Sequence, residues 1–278
     1  MSGLGARGSL KLMEMVRVRA LLAKEFLDLA RNRSALVPVA IVTVMSLILP
    51  FGIAIAVPAF SGHPLGEDSD LVRVSQIAGV TANLSNDARI QLFLFQQFLM
   101  MFLITPVTGA MALASHAVVG EKQARTLEPL LATPVSTFEL LTAKVLGALV
   151  PTLAISAIGL GLYLGGIAAF AAPGVATAMA SLRTLLLTIL VAPAAALVSL
   201  QAAILISSRV NDPRTAQQFG VLIIIPLAGL MVAEFSGSLW LSATALALIG
   251  VALLAVWCLL SLCSVALFDR ETILTRWR

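Results

Sequence analysis

The feature that most restricts this chain is a succession of apolar runs too long for a soluble helix. Residues 36–60, 91–118, 141–169, 182–207, 218–234 and 241–268 are almost wholly apolar, and several contain no charged residue. A helix needs about 20 such residues to cross a bilayer. In hydrocarbon every backbone N–H and C=O must be satisfied within the protein, which leaves helices and closed barrels as spanning structures. Runs of this length predict an all-α integral membrane protein with six transmembrane helices. Composition agrees: 59% of the 278 residues are hydrophobic and 12% charged, against about 25% charged in a soluble domain.

Ahead of the first run, residues 10–34 have an amphipathic pattern. Met15, Val18, Leu22, Phe26 and Leu29 recur at three- and four-residue spacing, with Arg17, Lys24, Asp28 and Arg31 on the other face. That predicts an N-terminal helix lying in the membrane interface. The expected organisation is a cytoplasmic N-terminus over 1–34, a transmembrane domain over 35–269 and a tail over 270–278. The first span reads as an uncleaved anchor, since no shorter signal-like run precedes it.

The basic residues set the orientation. Fifteen of the 18 lysines and arginines fall on one side of this layout, and three, Arg73, Arg89 and Arg183, fall on the other. Both termini and the connections at 119–140 and 208–217 are therefore expected in the cytoplasm of a bacterial inner (plasma) membrane. The net charge of +4 reads as topology rather than as a nucleic-acid surface. The loop at 61–90, with Glu67, Asp68, Asp70 and Asp87, is expected outside. It is long enough for a lid or a partly helical connection and too short for a sizeable domain.

Catalytic constellations are missing. No GxxxxGK[ST], HExxH or GxSxG occurs, so the chain is expected to cradle no nucleotide phosphate and to perform no hydrolysis. Cys258 and Cys263 lie five residues apart inside the last apolar run, and neither a disulfide nor a metal site is expected of them. Polar side chains at membrane depth are costly and therefore mark a candidate substrate path. They are Gln96, Gln97, Gln201 and Glu234, although glutamines can also bond between helices as structural elements. Gly161 and Gly165 make a GxxxG step that permits close helix approach. The low charge along the spans favours an amphiphilic cargo over an ion.

The polar island VGEKQARTLEPLLATPVSTFELLTAKVLG, 119–147, interrupts this pattern. Ser136 and Glu139 form a capping box, with Val135 and Leu140 at the staple positions, so a helix is expected to start at 136 and run into the third span. Glu121 and Arg125 stand four apart at the end of the second span, a favourable helix pair. Thr126 caps a short cross-helix that presents Leu127, Leu130 and Leu131 among charges, the composition of a partner surface.

This island resembles the permease subunits of ABC-2 type (type V) ABC transporters. The resemblance rests on the pattern from Glu121 through Glu128, Thr133, Pro134, Val135, Ser136 and Glu139 to Lys144, and on Lys24-Glu25 with Arg31-Asn32-Arg33 before the first span. It implies a half-transporter that pairs with a second permease copy, identical or related, in the membrane lipid. Separate ABC ATP-binding subunits would bind ATP and Mg, and the permease itself would hold no cofactor. Carried over by position, the docking contacts are Glu121, Arg125, Thr126, Glu128, Leu130 and Leu131. Members of the family often carry short re-entrant helices between spans five and six, for which residues 232–247 leave little room. The other reading is a membrane scaffold or sensor that uses the island to recruit a partner without transport.

Overall fold

A computed structural model describes residues 17, 19–28, 33–77, 84–123, 137–209 and 213–267. Every regular element among them is a helix. Residues 19–28 form α1. The first span is α2 (Arg33–Phe51), a π-helical segment at Gly52–Ala56, and α3 (Val57–Ser61). A short α4 (Ser69–Ile77) precedes α5 (Asn86–Met101) and α6 (Ile104–Gln123), which together make the second span. The third is α7 (Thr137–Phe170), followed by the single turn α8 (Val175–Met179). The fourth is α9 (Leu182–Leu185), a π segment at Leu186–Val191, and α10 (Ala192–Arg209). Then come α11 (Pro213–Phe235) and α12 (Ala243–Leu267).

Five of these stretches are long and apolar enough to cross a bilayer: Leu36–Ser61, Asn86–Ser115, Thr142–Phe170, Leu182–Ser207 and Ala243–Ser264. They correspond to five of the six runs read from the sequence. The sixth run lies in α11, a continuous helix of 23 residues, in which Ile225–Phe235 is the apolar part whose side chains are described. The spans differ in depth within the bundle. The second is 83% buried and forms its axis, while the last is 11% buried and lies at the rim.

Local chemistry explains the ends and irregularities. Helix α5 starts at Asn86 because Ser85 caps it, its hydroxyl accepting from the Ala88 N–H, and Asp87 adds favourable negative charge in the first turn. Asp87 also accepts from the Gly66 N–H at 2.6 Å, which fastens Gly66 to the start of α5. The three irregular points adjoin prolines, whose missing N–H frees the carbonyl four residues earlier. The second span breaks at Phe102–Leu103 before Pro106, and the Phe102 carbonyl accepts from the Thr105 N–H at 3.2 Å instead. The π segment at 186–191 precedes Pro193. The one at 52–56 precedes Pro58, and the freed Ala54 carbonyl takes its hydrogen bond from Gln91 Nε2 on α5 at 3.4 Å. Gln91 Oε1 accepts from the Ala172 N–H at 2.8 Å, so one amide serves both the freed carbonyl and the connection after α7.

Hydroxyl groups inside the spans bond back along their own helices, as Thr43 does to Val39, Thr152 to Ala148 and Ser199 to Ala195. Helix contacts close where glycine removes a side chain. A methyl group on Gly159 would lie 2.8 Å from Phe102, and one on Gly166 would lie 2.6 Å from Phe51 Cζ. Gly161 and Gly165 differ from the sequence reading, because a methyl group on either meets nothing within 4 Å. Close approach in α7 falls instead to the glycines two residues before and one residue after that step.

Candidate functional site

Two buried ion pairs lie at opposite ends of the bundle. At the basic end, the described part of the N-terminal helix has Leu21 and Leu22 half-buried. Glu25 is the buried residue of α1 at 9% exposure, whereas Phe26 and Leu27 face outward. The Glu25 carboxylate accepts from Lys144 Nζ on α7 at 3.3 Å, and Lys144 is 1% exposed. Lys24 lies 3.7 Å from the same carboxylate and 3.6 Å from Asp28. The helices come this close because of Gly147, one turn after Lys144, where a methyl group would lie 2.7 Å from Glu25 Cβ. Glu139, two turns closer to the island, is also buried.

At the opposite end, Glu234 is fully buried near the end of α11. Arg183 Nη2, from the start of the fourth span, donates to both of its carboxylate oxygens at 2.9 Å. The Leu241 N–H donates to Oε1 at 2.9 Å, and Arg183 Nε donates to the Leu241 carbonyl at 3.1 Å. The guanidinium lies over the Trp240 ring at 4.2 Å, and Trp240 stacks on Phe93 of α5. Gly237, at φ +71°, turns the chain back so that Leu241 reaches Glu234. The connection between α11 and α12 contains no helix.

The other residues singled out from the sequence are dispersed. Gln201 is buried on α10 and donates to Ser264 on α12, a bond between helices. Gln96 and Gln97 are buried on α5, and neither amide atom of Gln97 has a hydrogen-bond partner among the described residues. Arg125, Thr126, Glu128, Leu130, Leu131 and Ser136 lie outside the described residues, and Glu121 belongs to a stretch whose backbone alone is described. Among the described residues no group of histidine, cysteine or acidic side chains is placed to hold a metal. Gln91 and Arg183 were not picked out from the sequence as bonded residues. For Arg183 a signal existed: the span assignment puts its charge and that of Glu234 at the same membrane end.

This is a multi-pass, all-helical membrane protein whose first helix is pinned by charge to the foot of its third span. The sequence profile of the ABC-2 family transporter proteins matches residues 19–234, a stretch that contains both ion pairs and the whole island. The chain belongs to that family, and it is accordingly a membrane component of an ABC transporter. Neither a curated protein nor a solved structure matches it significantly.

Proposed function

We propose that the chain is the permease subunit of an ATP-driven exporter. It has six spans, works as a dimer of permease chains, and docks separate ATP-binding subunits through the 119–140 element, with both termini on the cytoplasmic side. The observation that carries this reading is the Glu25–Lys144 contact. It ties the N-terminal helix to the span that continues the island, and these are the two regions on which the resemblance to the family rests.

In this reading Glu121, Arg125, Thr126, Glu128, Leu130 and Leu131 meet the ATP-binding subunit. Ser136 and Glu139 cap the helix that carries the motion into the membrane. ATP and Mg belong to the partner, and the permease contributes a path. Gln97, buried with an unpartnered amide, is the strongest of the four path candidates, followed by Gln96. Gln201 and Glu234 are engaged within the chain, so a path role for either requires their bonds to open. An amphiphilic cargo fits spans with so little charge.

The test is co-purification in nanodiscs with the ATP-binding subunit encoded nearest to this gene, comparing wild type with the double variant Glu128→Lys, Leu131→Asp. Docking through the island requires that wild type retain the subunit and stimulate its ATP turnover, and that the variant insert normally and lose both. Equal retention by the variant removes the island from docking. No retention by wild type leaves the scaffold reading.

A further inference from the structure

The two sequence similarities that pointed to the family lie far apart in the chain, and the structure brings them together. Glu25 comes from the N-terminal Lys24-Glu25 pair, and Lys144 ends the island pattern; they meet across 119 residues. The contact is poorly explained as a source of stability. An ion pair removed from water is often no more stabilising than an apolar pair of the same volume, but it tolerates one register and is costly to half-remove. Glu25 is the most buried of the residues described on α1: Leu21 and Leu22 are half-buried, and Phe26 and Leu27 are 38% and 61% exposed, toward lipid in the proposed orientation. Charge, with the notch at Gly147, therefore fixes where α1 sits against the bundle.

We infer that Glu25 and Lys144 are positioning residues that clamp α1 to the foot of α7, so that α1 and α7 move as one body when the ATP-binding subunits move the island. Lys144 is seven residues into α7, which begins at Thr137, or roughly 10 Å along the axis at 1.5 Å per residue. A push delivered at the start of α7 therefore reaches the clamp within about two turns. Without the clamp α7 would move alone and α1 would stay with the lipid surface. This inference rests on the proposed docking role, and the experiment separates the two.

The full chain, carrying Cys258→Ser and Cys263→Ser because both native cysteines are exposed, is spin-labelled at Leu27→Cys on α1 and Val150→Cys on α7. It is placed in nanodiscs with the ATP-binding subunit encoded nearest to its gene. Pulsed EPR then reads the label distance without nucleotide and after ATP–vanadate trapping, while ATP turnover per bound subunit is measured in parallel.

With the clamp intact, one narrow distance is expected in both states. Lys144→Met and Glu25→Gln are expected to broaden it and to lower permease-stimulated turnover on the order of 10-fold, within the usual range of coupling between sites, with the subunit still bound. The exchanged pair Glu25→Lys, Lys144→Glu restores both readings. A contact that served folding alone would change yield without changing the distance or the turnover per bound subunit, and that result overturns the inference. Gly147→Ala keeps both charges and pushes Glu25 away; an unchanged distance and turnover in that variant overturns it as well. If wild type binds no subunit, the docking reading has failed and the clamp fails with it, a result visible before any variant is made.

Discussion

Replacing Arg183 by methionine tests how the end opposite the basic face is held. The Glu234 carboxylate is fully buried and accepts three hydrogen bonds, two from Arg183 Nη2 and one from the Leu241 N–H. Arg183→Met leaves that charge out of water with a single backbone donor. Removing one partner of a buried pair costs about 3–5 kcal/mol. The loss of the Nε bond to the Leu241 carbonyl contributes about 1 kcal/mol, and loss of the stacking over Trp240 contributes about 0.5–2 kcal/mol. These contributions share atoms and do not add, so the expected destabilisation is about 4–5 kcal/mol.

The double variant Arg183→Met, Glu234→Leu removes the stranded charge and should recover to within about 2 kcal/mol of wild type, as apolar replacements of buried pairs do. Glu234→Gln keeps an acceptor for the Leu241 N–H and leaves Arg183, which is 10% exposed, a route to water. Its cost should be smaller, about 1–3 kcal/mol. The assay is reversible unfolding in bicelles by steric trapping, run as a double-mutant cycle. A single-variant cost below about 1 kcal/mol, or a double variant equal to the sum of the singles, would refute the reasoning that the pair is a desolvated unit.

The glycines of α7 give a paired prediction. Gly166→Ala forces a methyl group to 2.6 Å from Phe51 Cζ and should cost about 1–3 kcal/mol by overpacking, whereas Gly161→Ala meets nothing and should be neutral or stabilise by up to about 1 kcal/mol. The same unfolding assay ranks them, and the reverse order would contradict the packing described. Gln91→Leu strips the partner from both the Ala54 carbonyl and the Ala172 N–H, at about 1–3 kcal/mol for each buried group left unmade. Adding Pro58→Ala supplies an N–H to the Ala54 carbonyl and should recover part of that loss; no recovery would mean that the proline does not cause the defect.

What could be read from the sequence follows from which forces are local. The spans were legible because lipid leaves the backbone no alternative to a helix. The irregularity that a proline produces is not decided locally. Whether Pro58 gives a kink or a π segment depends on who takes the Ala54 carbonyl, and Gln91 comes from another helix. The charge pairs were hidden for the same reason. Lys144 reads as a residue near a membrane end and Glu234 as a lone acid at depth, until packing brings Glu25 and Arg183 to them. Gly161 and Gly165 carry the better-known spacing, yet Gly159 and Gly166 make the contacts, because the face that a helix turns inward is decided by its neighbours.

Helix α7 shows why pins at the ends suffice. Its 34 residues extend roughly 51 Å at 1.5 Å per residue, from beside the island to the opposite end. Along one face it meets Gly109 at Thr152, Phe102 at Gly159 and Phe51 at Gly166, and the Phe95 carbonyl through the Tyr163 hydroxyl at 2.7 Å, while Glu25 meets it at Gly147, about 100° or more round the helix. Its other face, with Val150, Ile158 and Leu162, is exposed. Lipid is as apolar as these side chains, so no hydrophobic force presses the exposed face inward. Among the described contacts, α7 is held by close packing at its small residues, which fixes distance, and by the Glu25–Lys144 ion pair and the Tyr163 phenol bond, which fix register. Packing of this kind resists separation more than it resists sliding. Removing the charge at Lys144 should therefore alter the axial register of α7 more than the number of its neighbours.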